Sequence, residues 1–158
     1  MTSKGLVALV LGFAASAAMG QQFLPDPERT PGAINNYVTQ DNLKSTACSA
    51  RWTRWVAPSS AYTSRLKAQQ IEELGLPGDG RQYVEDHLVP LCAGGHPRDP
   101  RNLWPEPVRG KWSAAVKERL EISVCRAMCR GDMTLEEGRA IFLRPDWTQE
   151  YVRFFEQK

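Results

Sequence analysis

Asp86 and His87 stand side by side just ahead of Pro90, and Asn102 follows beyond a turn that contains Gly94 and Gly95. A carboxylate beside an imidazole, with a carboxamide across a tight turn, has the makings of a hydrolytic site. Hydrolysis of a phosphodiester needs a base to deprotonate water, a cation to neutralise the developing charge, and groups that hold the base in place. His87 is the candidate base, because a neutral imidazole titrates near physiological pH. Asp86 offers a hard oxygen suited to Mg²⁺ or Mn²⁺, with Zn²⁺ a further divalent option. Asn102 is placed to hydrogen-bond across the loop and orient His87. Neighbours in a regular strand point to opposite faces, so the pair shares a site only if the strand twists or ends there. Pro90 supplies such an ending.

These residues need a hairpin and something to hold it. Gln82 to Val89, with Tyr83, Val84 and Val89, reads as a strand ended by Pro90, and Asn102 to Trp104 reads as a short return strand closed by Pro105. Trp112, Val116, Leu120, Val124, Ala127 and Met128 then recur at three and four residues, the mark of a helix packed on an apolar surface and stopped by Gly131. Ser60 to Leu74 predicts an earlier helix with Gly75 just past its end. Thr134 to Glu137 is a capping box for a helix ending at Pro145, and Asp146 opens a terminal helix. Thr39 to Ser45 suggests a turn or two of helix, and Arg51 to Val56 a weak strand. The expected class is α+β, a hairpin and long helix within a mainly helical single domain.

The 158 residues suffice for one domain with a real core. Met1 to Gly20 carries a positive start, an apolar run from Leu6 to Met19 and small residues at its end, and is read as a signal peptide cut before Gln21. The run is shorter than the roughly 20 residues a bilayer span requires. The mature protein is therefore expected in the periplasm or secreted, without stable membrane association. Residues 21–47, rich in proline at first, are read as an extended leader, and 48–158 as the functional domain. In an oxidising compartment Cys48, Cys92, Cys125 and Cys129 are expected to be bridged. Cys125 with Cys129 is disfavoured because i and i+4 positions on a helix stand too far apart at Cβ. Two pairings to Cys48 and Cys92 stay open. The chain's net charge of +2 creates no global field toward nucleic acid. Its positives nonetheless gather between Arg98 and Arg130, as a solvated helix face or a phosphate-binding surface. Lys117, one turn beyond Ser113, is a candidate phosphate contact or else a surface lysine paired with Glu121. Arg101 is a second candidate contact from the loop.

The string Asp86-His87-Leu88-x-Pro90-Leu91-x-x-Gly94-Gly95 with Asn102-Leu103-Trp104-Pro105, continuing into Trp112 and Lys117-Glu118-x-Leu120-Glu121, resembles the HNH, or ββα-metal, endonucleases. The likeness spans about Tyr83 to Glu121. It implies a ββα-metal hairpin and helix, cleavage of DNA and in some members RNA, and a single divalent metal near the helix start. By the same resemblance His87 is the general base, Asp86 a metal ligand and Asn102 the residue that braces the loop. The third signature residue, a His or Asn in the first helical turn, is absent. Ser113 stands there, a shorter and weaker ligand that leaves room for a water. The resemblance also favours Cys48 with Cys129, and so Cys92 with Cys125. A second class of function follows from Ser113: a non-catalytic module of the same descent that binds nucleic acid or a protein partner.

Overall fold

The computed structural model describes residues 24–143 and 146–157, so the expected signal peptide and the helix stop at Pro145 lie outside the described residues. Among the described residues the first regular element is α1 (Ala50–Val56), followed by α2 (Ser60–Leu74), β1 (Tyr83–His87), β2 (Leu103–Pro107), α3 (Ala114–Arg130), α4 (Leu135–Leu143) and α5 (Trp147–Phe155). The two strands form an antiparallel sheet in which Asp86 faces Trp104 and His87 faces Leu103. The molecule is α+β, a single domain whose small sheet is enclosed by helices.

Each helix begins and ends where side-chain chemistry dictates. Ser49 and Ser59 cap α1 and α2 by accepting from Trp52 N and Tyr62 N, and Asp146 caps α5 through Thr148 N. Thr134 and Glu137 satisfy each other's backbone amides at the start of α4. Gly75 and Gly131 end α2 and α3 in the left-handed conformation. The expected strand at Arg51 to Val56 is a helix instead. The alternation there lacks a clean apolar face, whereas Ser49 provides a cap and Cys48 anchors the helix start through its disulfide. Thr39 to Ser45 makes successive turns, with Thr39 and Asn42 exchanging side-chain-to-backbone bonds, but no regular helix. β2 runs past Pro105 to Pro107, because in a two-stranded sheet every strand is an edge and tolerates proline.

The core joins Leu120, Val124 and Met128 of α3 to Leu88, Val89 and Trp104 of the hairpin, and to Phe142 and Trp147 behind them. Residues before Cys48 enter it too. Val38 and Leu43 are buried, Ile34 bridges Gly95, and the amide of Leu135 donates to the Gln40 side chain at the head of α4. Disulfides join Cys48 to Cys129 and Cys92 to Cys125, tying both the N-terminal segment and the hairpin loop to α3.

Candidate functional site

Asp86 and His87 both lie within β1, so their side chains leave the strand on opposite faces, and the ending that Pro90 was expected to supply comes too late to bring the pair to one side. His87 sits at the end of the strand. Its Nε2 lies 3.0 Å from the carbonyl oxygen of Pro97. A carbonyl can only accept, so Nε2 carries the hydrogen and Nδ1 keeps its lone pair. Among the described residues nothing bonds to Nδ1. Burial holds the imidazole below its ordinary pKa, although the Pro97 carbonyl and the Asp86 charge work in the other direction. The ring is therefore a neutral base with one nitrogen fixed and one free.

On the other face, Asp86 meets α3. Lys117 Nζ donates to Asp86 Oδ2 at 2.7 Å, to the His87 carbonyl at 2.6 Å, and to the carboxylate of Glu121. Lys117 has no exposed surface, and its ammonium also lies 5.8 Å from the Phe142 ring centroid. This corrects both expectations for Lys117, since it is neither a surface residue nor presented to a phosphate. The i, i+4 pairing with Glu121 is present, but inside the protein. Helical periodicity carries the explanation: Lys117 continues the buried stripe of Leu120, Val124 and Met128.

The acidic groups around the ammonium differ in charge. Burial pushes Asp86 upward, but Lys117 and hydrogen bonds from Glu106 and Lys117 outweigh it and hold the group below its ordinary range. Glu106, fully buried in β2, is pushed up to about 10, chiefly by burial. Neither of its oxygens has a donor, which suits a protonated carboxyl that donates to Asp86. Glu121 is pushed up to about 7, again chiefly by burial. Burial opposes charge on Lys117, yet Asp86, Glu121 and Glu106 hold it well above its ordinary value. On the face of His87, burial raises Glu85 to about 8.

Asn102 is completely buried. Its Oδ1 accepts from Val89 N, and its Nδ2 donates to the carbonyls of Val89 and His96. It braces the loop as expected but does not touch the His87 ring. Its action on His87 is indirect, through the loop that carries Pro97. His96 supports that loop through Nδ1, which accepts from Arg98 N and Asp99 N. Arg101 is exposed, and its guanidinium is paired with Asp99 at 2.7 Å. Ser113 is buried at the head of α3 and makes no side-chain capping bond there. The remaining positives from Arg98 to Arg130 are exposed, Lys117 being the exception.

Reading the residues by type missed Glu106 and the central place of Lys117. Extending β2 by two residues beyond Trp104 puts Glu106 on the face of Asp86, a signal hidden by the expected stop at Pro105. The donor set also discriminates among ions. Asp86 shares its carboxylate between the Lys117 ammonium and the Glu106 carboxyl, and its side chain is 31% exposed. This donor set admits a hard ion such as Mg²⁺ or Mn²⁺, which takes one or two carboxylates and completes its shell with water and phosphate oxygens, only in exchange for one of those partners. It does not fit Zn²⁺, which takes three or four protein ligands. Among the described residues no group of three or more His, Cys, Asp or Glu side chains is arranged to hold a metal ion. Comparison with protein-family models, with curated proteins and with solved structures finds no match for this chain.

Proposed function

We propose that the protein is an exported HNH-like endonuclease that hydrolyses phosphodiester bonds of DNA, with RNA as a second substrate, and that His87 is its general base. The observation that carries this reading is the state of the imidazole: held toward the neutral form, tied at Nε2 to a backbone carbonyl, and without a hydrogen-bond partner at Nδ1 among the described residues. The hairpin followed by α3 supports it as the arrangement that the resemblance implies. Asp86, on the opposite face of β1 from His87, would hold the divalent metal in exchange for one of its present partners, with the Ser113 hydroxyl or a water as further oxygen donors. Such an ion, when bound, neutralises charge on the phosphate and the departing oxygen. Asn102 fixes the loop that fixes His87. Arg101 and the exposed positives from Arg98 onward supply contacts to the backbone phosphates. Two disulfides accord with export to an oxidising compartment.

The test is incubation of the purified mature protein with plasmid DNA, linear DNA and RNA in Mg²⁺, Mn²⁺ or EDTA. We expect metal-dependent nicking that falls by about 10²-fold or more in His87→Ala, the scale of a lost general base. Cutting that survives the substitution would remove His87 from its role. A second reading, a nucleic-acid or protein-binding module without catalysis, is favoured by Ser113 standing where a stronger ligand is expected. Tight DNA binding with no cutting under any metal would select it.

A further inference from the structure

We infer that the exposed face of α1 is a binding surface for single-stranded nucleic acid, on which the Trp55 ring stacks against a base and the Arg51 and Arg54 guanidinium groups meet the flanking phosphates. It rests on α1 and is independent of the hairpin chemistry above. Position on the helix divides the two tryptophans of α1. Trp52 packs against the core, whereas Trp55 keeps 78% of its surface exposed, more than any other large apolar side chain among the described residues. One exposed ring is ordinary by itself. Its surroundings give it a use.

Arg51, one turn before Trp55, and Arg54 beside it are both exposed, and among the described residues neither meets a carboxylate. Arg54 commits only Nε, which donates to the Ala50 carbonyl at 3.1 Å, so its terminal nitrogens stay available. From Asn42 to Ile71 the chain contains Lys44, Arg51, Arg54, Arg65 and Lys67 but no aspartate or glutamate, so charge of one sign gathers here in a chain whose net charge is +2. Ser45, Ser49, Arg51, Trp52, Arg54 and Trp55 line an open groove of about 700 Å³. The Cys48–Cys129 disulfide and the Ser49 cap fix the start of α1, and with it the groove. An aromatic face with cations at its sides matches a strand that alternates flat bases with phosphates. In a duplex the bases are stacked on one another and closed to the ring. A membrane surface calls for a broad apolar face, and here one ring stands among serines and arginines.

The experiment measures binding of oligothymidylate to the mature protein in EDTA, where metal-dependent cutting is absent. Fluorescence anisotropy of a labelled oligonucleotide gives the affinity, and quenching of tryptophan emission by the unlabelled one reports stacking. Trp55→Ala should weaken binding about tenfold or more, the scale of one lost base stack, and leave binding of a duplex unchanged. Trp55→Phe should keep most of the affinity and lose the quenching, because it retains a ring without the indole. Arg51→Gln with Arg54→Gln should reduce the slope of log affinity against log salt by about 1.4, as for two phosphate contacts to a single strand. All three side chains are exposed, and circular dichroism checks that the variants keep the fold. Failure of the parent to bind oligothymidylate overturns the inference, as does Trp55→Ala that binds it as tightly as the parent. A Trp55→Ala loss equal for single strand and duplex removes the base stack and overturns it too, and so does binding to phosphatidylglycerol vesicles in place of the oligonucleotide. Trp55-dependent binding by a protein that cuts nothing under any metal supports the inference and removes only the nuclease reading.

Discussion

Glu106 enters the interior with no donor on either oxygen, and a carboxyl so placed keeps its proton far above the usual range. The unfolded chain releases that proton near pH 4.5 while the folded protein holds it to about 10. Below pH 4.5 both states are protonated, and the group adds no penalty. As pH rises above that, folding must take up a proton, and stability falls until the folded group ionises. Glu106→Gln retains a donor toward Asp86 without the titration. It should match the wild type at pH 4 in urea unfolding and exceed it at pH 8 by an amount on the order of a few kcal/mol. A difference independent of pH would mean that Glu106 is charged in the folded state. At this scale the sequence displayed the types that matter, Asp86, His87 and Asn102, because acid, base and amide chemistry are properties of single side chains. It concealed Lys117, because lysine is normally at the surface, and only its register with Leu120 and Val124 betrays a buried position.

The elements were legible wherever a cap or a period marks them, as with Ser59 and Gly75 around α2 or Thr134 ahead of α4. They were misread where the run is short, as in α1, whose seven residues contain too few turns for a period to emerge. The hairpin turn depends on backbone contact rather than on pattern. A Cβ on Gly95 would lie 1.8 Å from the Val89 carbonyl oxygen and 2.7 Å from Asn102 Nδ2. The neighbouring Gly94 has φ of +73°, a conformation costly for other residues. Gly95→Ala should therefore break the Asn102 brace and cost roughly 2–5 kcal/mol, the range of an overpacked site that also loses buried hydrogen bonds. Thermal unfolding would show the loss. Full retention of stability would mean that the loop can yield without it.

Across the whole molecule the two disulfides close loops of different length, with sequence separations of 81 for Cys48–Cys129 and 33 for Cys92–Cys125. On chain-entropy grounds the longer loop is worth about 4–5 kcal/mol and the shorter about 3–4. Replacing Cys48 and Cys129 by serine should lower the unfolding midpoint at least as far as replacing Cys92 and Cys125. The proposed nuclease activity, measured well below either midpoint, should show the reverse order, because Cys92 lies in the loop that Asn102 braces. Equal losses of activity would separate the loop from the chemistry. The stretch before Cys48 has a consequence of its own. Its backbone exchanges hydrogen bonds with the site loop at Gly32 with Arg101, Asn35 with Gly94, and Ala33 with His96. What reads as a leader is the outer wall of the loop that carries Pro97, and through Pro97 it bears on the His87 ring. A peptide-bond cut between residues 31 and 38, far from Asp86 and His87 in sequence, would release that wall and leave the imidazole without a fixed tautomer. Trimming the N-terminal arm should thus silence the proposed activity with the Asp86, His87 and Asn102 side chains still in the chain.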